Sequence, residues 1–280
     1  MIDKRRWWEL VLLYAGMAVF MAFVLAPFVE AFFVSLRPID AIFRVPYRFV
    51  TEDMSLEAYR HMWESVPMLG RYIFNSIFIA ACVTLLALAC IIPAAYSFSR
   101  FDYRFRDGLL VAFLTINMVG AAVLIIPLYK LMMTLGLLNT YLAMIVPGAA
   151  FTVPTGVFLM RSYFLRVPKE LEEAAYVDGA SRLYTLWRVI LPVTLPGIMV
   201  VSITTFITAY AQQFLFALTF NSTNALNPLP VGLYQFFGRQ AVIWNELMAA
   251  SLVGIVPVLI IYVFLQKYIV AGLTSGAVKE

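Results

Sequence analysis

Residues 168–192 read PKELEEAAYVDGASRLYTLWRVILP, and this charged stretch interrupts a half of the chain that is otherwise strongly apolar. Pro168 suits the first turn of a helix, because a residue there needs no backbone N–H partner. Gly179 can end that helix as a C′ residue, and Ser181 can cap the start of a second helix. The stretch therefore predicts a short helix–turn–helix.

The first of these two helices has two different faces at about 100° per residue. One thin arc consists of Leu171, Ala174, Ala175 and Asp178, and the opposite, charged arc consists of Lys169, Glu170, Glu172 and Glu173. The second helix carries an apolar stripe of Leu183, Leu186 or Trp187, and Ile190. Such a pair can lie in the membrane interface without a partner. Alternatively, its thin alanine face can approach another protein.

The composition is that of a membrane protein. Of the 280 residues 63% are hydrophobic and 13% are charged, with a mean hydropathy of +0.88. A soluble protein is about half apolar and a quarter charged. We therefore predict a polytopic chain surrounded by membrane lipid. The net charge of +4 is dispersed along the chain, which argues against a nucleic-acid partner.

Six apolar runs are long enough to cross a bilayer, so the predicted fold class is an all-α membrane protein with six transmembrane helices. The runs are Leu10–Phe33, Ile73–Phe98, Leu109–Met132, Tyr141–Met160, Gly197–Phe220 and Leu247–Tyr268. Most Lys and Arg residues fall on one side, which predicts that both termini are inside (N-in/C-in). Residues 35–70 and 221–245 are then external, either as connecting loops or as lids and docking surfaces.

Several kinds of site are missing from the sequence. The dipeptide Gly-Lys never occurs, so there is no phosphate-binding loop of the G-x-x-x-x-G-K-[ST] type. His61 is the single histidine, which excludes H-E-x-x-H and leaves no Ser/His/Asp set inside the membrane. We therefore expect no catalytic residues, no metal and no cofactor in this chain, and we do not expect an enzyme.

Polar residues inside the predicted spans are few, and such residues often mark a pathway. The candidates for a solute pathway are Asn117, Tyr210, Gln212 and Gln213. Amide and phenol groups among aromatic neighbours suit a neutral polyhydroxylated solute. Glu30 lies near the outer end of the first span and can instead reach the interface. Because the spans hold no set of ionisable groups for a proton relay, an ion-coupled secondary transporter is the weaker alternative.

Residues 168–192 also resemble a known motif. The EAA motif (E-A-A-x3-G-x9-I-x-L-P) of ABC-importer permeases is resembled by Glu173-Ala174-Ala175, by Gly179, and by Val189-Ile190-Leu191-Pro192 after nine intervening residues, with Val in place of the first Ile. PKELEEAAYVDGAS, IPLYKLMMTLGLLNT and GLTSGAVKE are similar to the carbohydrate-uptake (maltose-type) family. Nearly the whole chain resembles the smaller membrane subunits of that family, the G subunits.

The resemblance implies a type I ABC-importer permease fold, with residues 1–280 as a single transmembrane domain and residues 168–192 as a cytoplasmic EAA coupling helix pair. It implies multi-pass localisation in the inner (plasma) membrane of a bacterial cell. The implied partners are a homologous second permease subunit, two copies of a cytoplasmic ATPase subunit that holds ATP and Mg, and an external solute-binding protein. The implied ATPase-coupling residues are Glu173, Ala174, Ala175, Asp178 and Gly179.

The resemblance leaves the solute open. Relatives often carry W-N-E-F-L-x-A in the fifth span, whereas this chain reads YAQQFLFA at residues 210–217. We expect transport of a sugar or a sugar derivative, and a non-sugar solute is the alternative.

Overall fold

The computed structural model describes residues 7–46, 48–116, 118–238 and 242–274. The helices up to the middle of the chain are α1 (Trp7–Leu36), α2 (Ile39–Ile42), α3 (Glu57–Ser65), α4 (Leu69–Arg100), α5 (Arg106–Ile116), α6 (Ala121–Thr134) and α7 (Leu142–Phe164). They are followed by α8 (Glu170–Val177), α9 (Arg182–Thr185), a π-helical turn (Leu186–Ile190), α10 (Leu191–Val193), α11 (Leu195–Ala211), α12 (Gln213–Phe220), α13 (Leu229–Leu233) and α14 (Trp244–Thr274).

Four helices of the described ranges are long and apolar enough to cross a membrane: α1, α4, α7 and residues 244–267 of α14. A fifth candidate is a bent pair, in which residues 182–193 and α11 meet at 82°. The protein is thus an all-helical membrane protein, as the composition predicts, and the described residues contain four to five apolar helices of this kind. The six spans and the N-in/C-in topology stay predictions.

Two of the six predicted spans are not continuous helices. The third run, Leu109–Met132, is divided between α5 and α6, and Gly120 is in an extended conformation just before α6. The fifth run, Gly197–Phe220, is divided between α11 and α12 at Gln212. Glycine and polar residues at these points weaken a helix that apolar composition alone would extend.

The chain forms two compact units, which are residues 1–69 with 233–255, and residues 70–232 with 256–280. In the first unit, α1 is apolar on every side and exposed over most of its length, as expected for a helix surrounded by lipid. Arg37 follows α1 and is buried; it lies 3.9 Å from Glu30 and donates a hydrogen bond to the Phe49 carbonyl. Glu30 therefore faces a cation within its own unit.

The second unit is built around close packing of α4, α7 and α11. A Cβ atom added to Gly156 of α7 would lie 2.2 Å from Cδ1 of Ile91 on α4. A Cβ atom added to Gly197 of α11 would lie 2.4 Å from Cγ of Tyr163 on α7. Small residues at helix crossings let the backbones approach closely, which is how helices associate in membranes.

Residues 225–227 belong to the segment 221–245, which we predict to be external, and they are hydrogen-bonded to the start of α4. The Asn75 side chain is buried and donates hydrogen bonds to the carbonyls of Ala225 and Asn227, at 3.0 and 2.9 Å. Its oxygen accepts a hydrogen bond of 2.8 Å from the Tyr141 hydroxyl. Residues 225–227 are therefore anchored to the unit that contains α4 and α7.

Candidate functional site

The predicted helix–turn–helix is present, and its turn has the geometry that the sequence indicates. Gly179 has a φ of +82°, in the left-handed region that favours glycine. The amides of Gly179 and Ala180 donate to the carbonyls of Tyr176 and Ala175, at 3.0 and 2.9 Å, which is a Schellman motif. Ser181 caps α9 by accepting a hydrogen bond from the Tyr184 amide at 3.3 Å. Both local predictions for this turn are confirmed.

One face of α8 is fixed to the end of α4 by a buried carboxylate. Glu172 Oε1 lies 2.5 Å from Nε of Arg100, and both side chains are at least nine-tenths buried. Glu172 Oε2 accepts a hydrogen bond of 3.0 Å from the Tyr96 hydroxyl. Glu172 is thus buried, although it shares its arc of α8 with Lys169, Glu170 and Glu173, which are exposed. Glu172 faces inward because its partners on α4 neutralise it.

Further contacts around this carboxylate join the neighbouring segments. Arg100 also donates to the carbonyl of Val167, which lies between α7 and α8, at 2.9 Å. Arg161 of α7 donates to the carbonyl of Phe98 at 3.1 Å. The Arg182 guanidinium lies 5.1 Å from the centre of the Phe101 ring. These contacts connect the ends of α4 and α7 to the helix pair.

The outward surface of the pair contains most of the predicted coupling residues. Glu173, Ala174, Asp178 and Gly179 are exposed, and Ala175 is half-buried. Val177 is 87% exposed and lies beside them on α8. The predicted apolar stripe of the second helix is divided between two sides: Leu186 and Ile190 are buried, whereas Leu183 and Trp187 are exposed. The pair thus presents an exposed surface that combines carboxylates with large apolar side chains.

A separate cavity of about 430 Å³ lies among α6, α7, α11 and α12. It is lined by Val119, Gly120, Ala121, Phe151, Thr152, Thr155, Gly156, Leu159, Thr204, Thr205, Thr208, Gln212, Phe214, Leu215 and Phe216. Thr204, Thr208 and Gln212 are four residues apart, so they follow one side of the chain along α11. The Thr204 hydroxyl donates back to the Val200 carbonyl, whereas Gln212 is exposed at the break between α11 and α12.

The structure describes three of the four candidate pathway residues, and these three do not all line the cavity. Gln212 lines the cavity, whereas Tyr210 and Gln213 are buried and are not among its lining residues. The Gln213 amide is used within the protein, because it donates to the Ser76 carbonyl and accepts from the Ser76 hydroxyl. Asn117 lies outside the described residues. A contact between any of the four and a solute stays a prediction.

Glu172 and the cavity threonines of α7 are the site residues that the sequence did not single out. The signal for Glu172 was available in part, because Tyr96 and Arg100 are four residues apart and therefore share one face of a helix. Nothing in the sequence relates those residues to position 172. Thr152 and Thr155 lie in an apolar run and carry no pattern that separates them from ordinary threonines.

Comparisons with known proteins agree with the motif and the fold. Residues 90–275 match the family described as "Binding-protein-dependent transport system inner membrane component". The chain is 36% identical over 272 residues to the trehalose/maltose transport system permease protein MalG of Thermococcus litoralis, covering 96% of each chain. It is 33% identical over 255 residues to the sulfoquinovosyl glycerol transport system permease protein SmoH of Agrobacterium fabrum, covering 91% of this chain and 89% of SmoH.

A solved structure has the same architecture. A chain in the crystal structure of a bacterial ABC transporter involved in the import of the acidic polysaccharide alginate superposes with a TM-score of 0.75 at 22% identity. The match covers 96% of this chain and 99% of that chain, and it identifies the fold. The predicted resemblance is thereby confirmed: the chain belongs to the family of inner-membrane components of binding-protein-dependent transport systems and has an ABC-importer permease fold.

Proposed function

We propose that this chain is the membrane-spanning permease subunit of an ATP-driven importer for a sugar or a sugar derivative. The observation that carries the proposal is the exposed surface of α8 and its turn, which holds Glu173 and Gly179 on a helix pair fixed to α4. The carbohydrate class is supported by relatives whose names include trehalose, maltose, sulfoquinovosyl glycerol and arabinooligosaccharides. Family membership supports delivery of the solute by an external binding protein.

The helix pair is the coupling element in this proposal. Its outward surface, with Glu173, Ala174 and Asp178, enters a cleft in a cytoplasmic ATPase subunit, and Glu173 pairs with a basic residue there. Ala175 and Gly179 keep the turn thin enough for close approach. ATP and Mg bind to two copies of that ATPase. Its closure moves the helix pair and changes the side to which the pathway opens.

The membrane arrangement in this proposal has six crossings with both termini inside. The helices α5 and α6 together form the third crossing, and α11 and α12 together form the fifth. Each of these two crossings therefore consists of two consecutive helices. A homologous second permease subunit completes the pathway. Residues 35–70 and 221–245 then face the external binding protein.

The cavity beside α11 and α12 is the part of the solute pathway that this subunit contributes. Gln212 offers an amide to the cavity and Thr208 offers a hydroxyl. In the same wall, the ring centres of Phe151 and Phe216 are 5.9 Å apart. Amides and hydroxyls can bond sugar hydroxyls while aromatic rings pack against the apolar faces of a sugar ring. Tyr210 and Gln213 are buried and stay candidates for contact with the solute.

The experiment that tests the proposal is reconstitution in liposomes with the candidate ATPase, the second permease subunit and the binding protein. The binding protein is first screened against a panel of sugars, and accumulation of the bound sugar is then measured with and without ATP. We expect accumulation only with ATP, and a loss of it in Glu173→Lys. Accumulation by this chain alone under an ion gradient would overturn the proposal, and full ATP-driven uptake in Glu173→Lys would overturn the coupling assignment.

A further inference from the structure

The contact between α8 and α4 has a geometry that an ordinary packing contact does not need. The two oxygens of the Glu172 carboxylate contact different residues of α4: Oε1 forms an ion pair with Nε of Arg100 at 2.5 Å, without hydrogen-bond geometry, and Oε2 accepts a hydrogen bond from the Tyr96 hydroxyl at 3.0 Å. Tyr96 and Arg100 are four residues apart, so they share one face of α4. The ion pair holds α8 close to α4, and the hydrogen bond from Tyr96 restricts the rotation of α8.

We propose that Glu172 is a positioning residue that joins the coupling helix to α4, so that a displacement of α8 is carried into α4. The proposal deepens the coupling role and rests on the proposed function. Glu173 is the next residue and is exposed, about 100° further around the helix. The contacts of Glu172 with α4 therefore determine the direction in which Glu173 points. A sliding apolar contact would not fix that direction.

The burial of the pair supports this role. The side chains of Arg100 and Glu172 are 5% and 8% exposed, so the medium around them screens their attraction less than water does. In contrast, Asp102 is 89% exposed where it pairs with Arg106, and such surface pairs contribute little. Removing one member of a buried pair leaves an uncompensated charge, whereas replacing both by apolar residues is often tolerated.

Near its opposite end, α4 contacts the segment that lines the cavity. α4 remains helical through Pro93 over all of its 32 residues, which is about 48 Å at 1.5 Å per residue. Near its other end, Ser76 exchanges two hydrogen bonds with Gln213 at the start of α12, and the preceding residue, Gln212, lines the cavity. Thus a single helix contacts the coupling helix at one end and the wall of the cavity near the other. All of these contacts lie within the second compact unit.

The test compares solute accumulation with ATP hydrolysis in the same liposomes that contain the complete transporter. The first variant is Glu172→Gln, which keeps the shape of the side chain and removes its charge. The second is Glu172→Leu combined with Arg100→Met, which removes the charge pair while keeping an apolar contact. The control is Asp102→Asn, which removes the charge of an exposed carboxylate that pairs with Arg106 just after the same end of α4.

We expect both Glu172 variants to lower the ratio of solute transported per ATP hydrolysed by about tenfold, the size of a moderate coupling between two sites. Hydrolysis itself should continue, and Asp102→Asn should match the unmodified chain in both measurements. A merely structural role predicts a different result, because the apolar double variant would then restore the ratio. The double variant also keeps the test decisive if Glu172→Gln does not assemble.

Two failures can be told apart. If the unmodified chain and its partners show no ATP-driven uptake, the proposed function is wrong. If the unmodified transporter is active and the double variant has the same ratio of solute to ATP, the positioning role of Glu172 is wrong and the coupling surface remains.

Discussion

Ser76 and Gln213 exchange two hydrogen bonds between α4 and α12. The Ser76 hydroxyl donates to Gln213 Oε1 at 2.7 Å, and the Gln213 amide donates to the Ser76 carbonyl at 2.9 Å. The same hydroxyl accepts from the Leu229 amide at 2.9 Å. This arrangement gives two consecutive glutamines different environments, because Gln213 is buried in these bonds while Gln212 is exposed in the cavity.

The first prediction concerns Gln213. Gln213→Leu leaves the Ser76 carbonyl without its side-chain donor and the hydroxyl without its acceptor. A lost buried hydrogen bond of this kind should lower the free energy of unfolding by about 1 to 3 kcal/mol. Thermal denaturation of the purified transporter measures the effect, with Ser202→Ala as the control, because the Ser202 hydroxyl bonds back to the Ile198 carbonyl of its own helix. Equal stability of Gln213→Leu and the control would contradict the prediction.

The second prediction concerns Gln212. Gln212→Ala should reduce uptake by about three- to tenfold, because one hydrogen bond to a neutral solute contributes about 0.5 to 1.5 kcal/mol. Thermal stability should stay at the level of the unmodified transporter, since the side chain is exposed. Initial uptake rates over a range of solute concentrations provide the measurement. Unchanged kinetics would remove Gln212 from the pathway.

The third prediction concerns Gly179 and separates the effect of its backbone conformation from the effect of steric crowding. A Cβ atom there would have no heavy atom within 4 Å, so a side chain fits, and only the φ of +82° opposes it. Gly179→Ala should destabilise the turn by about 1 to 2 kcal/mol, because alanine pays the full left-handed penalty. Gly179→Asn should be milder, since asparagine visits this conformation more readily. ATP-driven uptake should therefore fall further in the alanine variant, and the reverse order would exclude the turn conformation as the cause.

The fourth prediction concerns the crossing of α4 and α7. Gly156→Ala places a methyl group 2.2 Å from Cδ1 of Ile91, which is fully buried, and overpacking of this kind destabilises by about 1 to 3 kcal/mol. Ile91→Ala alone leaves a void, which is also destabilising. The double variant should be more stable than the sum of the single effects indicates, because each change compensates for the other. Thermal denaturation of the four proteins gives this coupling energy, and strict additivity would contradict the contact.

The local features of the coupling pair could be predicted because their partners are close in sequence. Gly179 bonds to a carbonyl three residues earlier, and Ser181 accepts from an amide three residues later, so residue type and spacing were sufficient. The face of Glu172 could not be predicted in this way. Its partner Arg100 is 72 positions away, and a helical projection of α8 does not show which arc meets α4.

The sequence by itself determined the membrane class, the family and the helix–turn–helix at residues 168–192, because long apolar runs and hydrogen bonds between neighbouring residues depend only on local composition. Only the tertiary structure decided that two of the predicted spans are broken and that Glu172 is buried while Glu173 is exposed. It also decided that Gln212 is exposed in the cavity of about 430 Å³ while Gln213 is buried against Ser76. These distinctions depend on contacts such as Arg100 with Glu172 and Ser76 with Gln213. Residues far apart in the chain form them, and packing alone brings those residues together.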